Sequence, residues 1–308
     1  MKKYLILLLT VFNLPQMQGQ ENPSQLTDLE QLRNMENALE VLAYSVLNDS
    51  SQTNRLAACH QLIPMLVKAL KIKNSFDYPF EKLRSISIQY PPDKSFRIFT
   101  WQLYVDADEY RYYGAIQMNE PELKLFPLSD RSLAVSSAEH EILNADKWFG
   151  ALYYNLKQFD SPEGRKYLLF GFNGLDFYNN RKLIEVLGFK KGVPEFGAPV
   201  FIQTDLKTGE KIVKNRIVKE YSAEASMGLN MDESLKAIIF DHLILMQGQL
   251  PGQGLTNVPD GTYEGYKLKK GLWVYVPKMF HGILDEPPRP EPKLDTRKGV
   301  DIFGKKKQ

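Results

Sequence analysis

The chain has 308 residues, with 39 Lys and Arg against 37 Asp and Glu and a formal charge of +2. That near-balance gives no electrostatic drive toward nucleic acid or an anionic membrane surface. The single cysteine, Cys59, excludes an internal disulfide, so stability must come from the core.

Lys2 and Lys3, the apolar run from Tyr4 to Phe12, and the break at Asn13 and Pro15 have the three-part layout of a secretory signal peptide. The run is less than half the roughly 20 residues a membrane-spanning helix needs, so it reads as a leader (residues 1–19) cleaved after Gly19 rather than as an anchor. No later stretch reads as a transmembrane segment. The best, Ala237 to Met246, is interrupted by Asp241 and His242. The mature chain is therefore expected to be soluble and to work beyond the inner membrane, periplasmic or secreted.

Leu29, Leu32, Met35, Leu39 and Leu42 recur at helical spacing and predict a helix over 26–47, opened by a Thr27–Glu30 capping box. After a polar turn, Leu56, Leu62, Met65, Leu66 and Leu70 predict a second helix over 53–71, kinked or divided by Pro64. The short connection makes the two an antiparallel pair. Cys59, among Ala57, Ala58, Leu62 and Ile63, is expected to be a buried, inert thiol.

Near residue 84 the period changes from helical to alternating. Strands are predicted over 85–90, 95–104, 110–118 and 123–126, the second with aromatic residues on both faces. Residues 129–146 read as loop with a helical turn. Strands follow over 148–156 and 166–172, joined by the hairpin loop Asp160–Gly164, then over 182–189, 199–203, 211–221, 224–230 and 236–243. Residues 248–261, rich in Gly and Pro, read as loop, and 262–267 with 272–276 as a closing hairpin. Roughly ten to thirteen short strands without intervening helices argue against parallel crossovers. No repeat of about 40 residues marks a propeller. The expected fold class is α+β, mainly β. It comprises a helical N-terminal segment over 20–83, an antiparallel β-meander or sandwich over 84–284, and a disordered Pro-rich basic tail over 285–308. Within that tail only the apolar pair Ile302 and Phe303 has anything to dock.

The four histidines show no zinc-ligand spacing. Glu139, His140 and Glu141 cannot converge on one ion, because consecutive side chains diverge. No metal or cofactor is expected. Nucleophile-elbow and phosphate-loop patterns do not occur. Two constellations remain. Glu224, among Ala223, Ala225 and Ser226, and Asp241 would face each other if 224–230 and 236–243 form a hairpin, the paired-carboxylate arrangement of a glycosidase. The plainer reading of Asp241 is a strand-end hydrogen-bond acceptor. Trp101, Tyr104, Tyr110, Tyr112 and Tyr153 lie on adjacent strands. Exposed, they would bind a sugar ring or a partner protein; buried, they would be cross-strand packing. The expected function is a non-catalytic binding or scaffolding protein of the envelope, its partner a protein or a glycan. The alternative is a glycan or peptide hydrolase using Glu224 and Asp241.

Overall fold

The computed structural model describes residues 26–205 and 208–280. The leader and the tail from 285, with Ile302 and Phe303, lie outside the described residues. Among those residues no helix is long and apolar enough to cross a membrane.

Helix α1 (Asp28–Asn48) begins at the expected capping box. The Thr27 hydroxyl accepts from the Glu30 N–H at 3.3 Å, and the Glu30 carboxylate accepts from the Thr27 N–H at 2.9 Å. Helix α2 (Gln52–Leu70) starts at Ser51 and runs through Pro64 undivided. Pro64 sits on the exposed face, where solvent can take the carbonyl that its missing N–H leaves unbonded.

Three sheets follow. In the first, β1 (Ser87–Gln89), β2 (Phe96–Asp106), β3 (Glu109–Met118) and β4 (Leu125–Ser129) lie side by side in chain order. The second contains β5 (Leu143–Asn144), β6 (Leu152–Ser161), β7 (Gly164–Gly174), β8 (Asn179–Lys190) and β9 (Val193–Phe196), in the order β5-β9-β8-β7-β6. The third starts with β10 (Phe201–Thr204) and β11 (Lys211–Lys214); the chain then crosses back as β12 (Ile217–Ser222) to pair with β8. It returns as β13 (Leu229–Asp232), β14 (Ala237–Gln247), β15 (Leu255–Lys269) and β16 (Leu272–Val276), giving the order β11-β10-β16-β15-β14-β13. Every pairing is antiparallel except that of β10 with β16.

Alternation along the strands stacks these elements into layers. On β2, Phe99, Trp101, Leu103 and Val105 pack on the helices, while Phe96 and Ile98 face the second sheet. On β7 and β8, Leu169, Leu183 and Leu187 point back to the first sheet, and Leu168, Phe170, Ile184 and Val186 point on to the third. There they meet Ile238, Phe240, Tyr266 and Trp273. The order is helix pair, sheet, sheet, sheet, with three cores. Cys59 lies in the first core, where burial pushes its thiol pKa up, as expected of an inert group.

Two wholly buried arginines sit in this stack. Arg97, on β2, donates to the carbonyls of Ser75 and Tyr78 (2.7 Å each), the Tyr90 hydroxyl (2.8 Å) and Gln117 Oε1 (2.8 Å). Arg216, between β11 and β12, pairs with the equally buried Glu185 at 2.5 Å and donates to the Ala138 and Phe196 carbonyls.

Three local expectations change. Residues 211–221 form two strands in different sheets, because Arg216 is drawn into the core and breaks the run. The strand expected over 224–230 begins only at Leu229. Part of the expected loop 248–261 is the first half of β15, which tolerates Pro259 because it lies opposite Leu243, at the bulge in β14.

Candidate functional site

The aromatic constellation divides by depth. Trp101 is covered by the helices and stacks on Tyr113 at 5.7 Å. Tyr112 is buried between the first two sheets, its hydroxyl accepting the Gly174 N–H at 2.6 Å. Tyr153 is fully buried, its hydroxyl accepting from Trp148 Nε1 at 2.8 Å. These three are core residues and not an exposed binding face, because the first sheet is covered on both sides and Tyr153, on the second sheet, lies in the core between the two. Tyr104 and Tyr110 alone among the five remain half-buried. They are register partners across β2 and β3, with ring centroids 5.4 Å apart. Behind them the Arg55 guanidinium lies 4.8 Å from the Tyr104 ring. It donates to the carbonyls of Tyr104 (2.7 Å) and Val105 (3.1 Å), tying the end of β2 to the start of α2.

Tyr110 leads into a cleft of about 580 Å³ between the start of β3, the loop after β4 and the ends of β7 and β8. Its ring lies over Gly174, where an added Cβ would meet it at 3.3 Å. The cleft is organised by Asp130, whose carboxylate accepts the N–H groups of Ser132 (2.9 Å), Gly150 (3.2 Å) and Tyr112 (3.3 Å). Gly150 is required there: a Cβ would lie 2.3 Å from the Asp130 carboxyl carbon. Asp130 is not among the residues expected from sequence, although Asp two residues before Ser is an Asx-turn pattern. Arg111, Arg131 and Arg181 stand at the mouth. Arg111 pairs with Glu109 at 2.6 Å and Arg181 with Glu220 at 3.0 Å, whereas Arg131 makes no ion pair among the described residues. Beside them Leu133 is 90% exposed.

Glu224 and Asp241 are not cross-strand partners. Asp241 is buried within β14 beside its bulge, not at a strand end, and its carboxylate accepts the Gly228 N–H at 2.5 Å. The β13–β14 ladder opens at Leu229 opposite Phe240, so Glu224 falls in an exposed turn outside it. The small residues around Glu224 do leave room: Ser222, Ala225 and Ser226 bound a cleft of about 400 Å³ against Met246 and Thr256.

Glu139 binds Lys214 at 2.5 Å and the Val218 N–H at 3.2 Å. Glu141 is held by Lys147 at 2.7 Å, whose hydrogen bond pulls its carboxyl pKa down to about 2. Among the described residues no group of three or more His, Cys, Asp or Glu side chains is placed to hold a metal ion.

A third pocket, of about 350 Å³, opens where all four layers meet. Its polar lining includes Arg84, Gln89, Gln102, Tyr154, Asn155 and Asn230. The chain matches no protein-family model, no curated protein and no solved structure to which it was compared.

Proposed function

We propose that the chain is an exported, non-catalytic binding protein of the cell envelope that holds a partner protein or glycan at the Tyr104–Tyr110 cleft. The observation that supports it is the half-exposed Tyr110, paired with Tyr104 and lining a cleft of about 580 Å³, on a β2–β3 hairpin braced by Arg55. Rigid aromatic and arginine side chains over a fixed concavity are what recognition surfaces use. Asp130, the acid that organises this cleft, supports binding rather than acid–base work, since three backbone N–H groups engage its carboxylate. The leader-like N-terminus supports export.

The test compares gentle affinity purification from the cell envelope, and binding to a glycan array, for the wild-type chain and the Tyr110→Ala/Arg131→Ala variant. A stoichiometric protein or a defined glycan held by the first and lost by the second is expected, with both chains equally folded by circular dichroism. Equal retention by the two would remove the cleft from the reading.

A further inference from the structure

The pocket at the four-layer junction gathers side chains from every layer. Leu47 reaches it from α1, Gln89 and Gln102 from the first sheet, Asn155 from the second and Asn230 from the third. A bulge in β6 makes this convergence. The register slips between Tyr153 and Asn155, so Tyr154 is the extra residue, and its hydroxyl reaches the Leu229 carbonyl at 2.6 Å. The first sheet holds the bulge in place: Thr100 Oγ1 accepts the Tyr153 N–H at 3.0 Å, and Ser87 Oγ donates to the Tyr153 carbonyl. Bulges that re-aim side chains in this way are common beside binding sites.

The hydrogen-bonding inventory of the pocket is incomplete in a particular way. Gln102 Oε1 is shielded from solvent and meets no donor among the described residues. Asn155 Nδ2 donates to Asn230 Oδ1 at 2.6 Å, and that oxygen also takes the Met231 N–H at 2.9 Å. The Asn230 carboxamide has two further N–H positions of its own, and no described group accepts them. Three layers therefore aim carboxamides at one small cavity, leaving both an acceptor and a donor unengaged. No carboxylate lines it, and its one lining cation, Arg84, is exposed at the rim. An ionised ligand would lack a buried counter-charge. A ligand that donates and accepts at neighbouring atoms, without charge, would satisfy the orphan Gln102 acceptor and replace water at the Asn230 donor.

We propose that this pocket binds a neutral sugar ring, with Gln102 Oε1 accepting from one hydroxyl and the Asn230 carboxamide donating to the next. Vicinal hydroxyls present that donor–acceptor alternation in a compact ring. The pocket is half-open and of about 350 Å³, so a peptide amide is the competing occupant that the test includes. The site is separate from the Tyr104–Tyr110 cleft, and either can fail without the other.

The test is saturation-transfer NMR on the full chain with glucose, galactose, mannose and N-acetylglucosamine in turn, and with a blocked dipeptide amide. Transfer to the ring protons of at least one sugar is expected, with a dissociation constant of about 1 mM, the range of a single-ring contact. Gln102→Leu should weaken that binding about tenfold and raise the melting temperature, because it removes a buried acceptor with no donor. Gln89→Ala, at the half-exposed edge, should weaken binding with no change in melting. Tyr110→Ala should leave it intact. The proposal is overturned if no sugar gives transfer, if the blocked dipeptide alone does, or if binding survives Gln102→Leu and Gln89→Ala. Loss of binding in Tyr110→Ala would overturn it too, moving the sugar to the other cleft.

Discussion

Arg97 and Arg216 are both wholly out of water, and the molecule accommodates their charges in opposite ways. Arg216 has a carboxylate, Glu185, at 2.5 Å. Arg97 has none within hydrogen-bonding distance; its guanidinium is ringed by Phe76, Phe80, Tyr90 and Phe99, with centroids 4.8–5.8 Å away, and its donors go to neutral oxygens. One charge is neutralised by an ion, the other is solvated by carbonyl dipoles and ring faces. The first arrangement depends on a side chain that a mutation can remove. The second depends largely on the backbone of the segment after α2, so Arg97 serves as a peg that fixes residues 75–78 to the first sheet.

The largest effect should come from breaking the ion pair on one side. Glu185→Leu leaves Arg216 buried without its partner and should cost about 3–5 kcal/mol. The double variant Glu185→Leu/Arg216→Met should recover most of that loss, measured as a double-mutant cycle in urea unfolding. Failure to recover would mean that the Ala138 and Phe196 carbonyls, not Glu185, are what Arg216 serves. Arg97→Met should cost about 2–4 kcal/mol by leaving buried carbonyls without donors, and no second substitution should rescue it, because two of its acceptors are main chain. A compensating variant at Gln117 would break the contrast. Gly150→Ala calibrates both against a third polar hub. It pushes a methyl into the Asp130 carboxyl and should cost about 1–3 kcal/mol, with loss of the near-ultraviolet signal from Tyr110 and Tyr112.

The smallest effect uses pH. Tyr78, whose carbonyl serves Arg97, has its hydroxyl pKa pushed from an ordinary 10 up to about 12, by burial first and then by its bond to the Glu36 carboxylate. An unfolded tyrosine loses its proton near pH 10, so above that pH the unfolded state binds fewer protons than the folded one, and stability falls as pH rises toward 12. Tyr78→Phe should flatten this decline, read from urea midpoints at pH 9, 10 and 11. An unchanged slope would assign the decline to the deeper tyrosines, such as Tyr153 beside Glu185 and Tyr221.

How far residues announced these arrangements depended on the range of the contacts. The Thr27–Glu30 box is local, and it starts α1 where the spacing says. The alternation on β2, with apolar residues on both faces, correctly implied a sheet covered on two sides. The same fact buries Trp101 and Tyr112, and the core shared with the second sheet buries Tyr153; composition alone could not separate the three from Tyr104 and Tyr110. Arg216 lies inside the strand expected over 211–221, and nothing local marks it for burial, since arginine is usually outside. Only its pairing with Glu185, far along the chain, turns β11 away from β12. Glu224 falls in the strand expected over 224–230, paired with 236–243 as a hairpin, whereas the ladder waits for Leu229. The amide pocket was illegible for the same reason: Gln102, Asn155 and Asn230 are ordinary strand residues until the bulge at Tyr154 brings three sheets to one point.

The parallel pair β10–β16 sets an order of assembly. Phe201–Thr204 cannot join the rest of its sheet until Leu272–Val276 arrives, with everything from Asp205 to Gly271 already made, because β16 lies between β10 and β15. Trp273, buried in the third core, arrives with it. A chain interrupted before Leu272 would hold β10 and β11 as a two-stranded fragment, which is marginal in water. Pairing over so long a separation is also slow, since loop closure precedes any contact that rewards it. Vectorial emergence from a ribosome or a translocation channel would therefore complete the two upstream cores well before the third, and a nascent chain halted at Gly271 should be cleaved by protease in its last layer while its helices and first sheet resist.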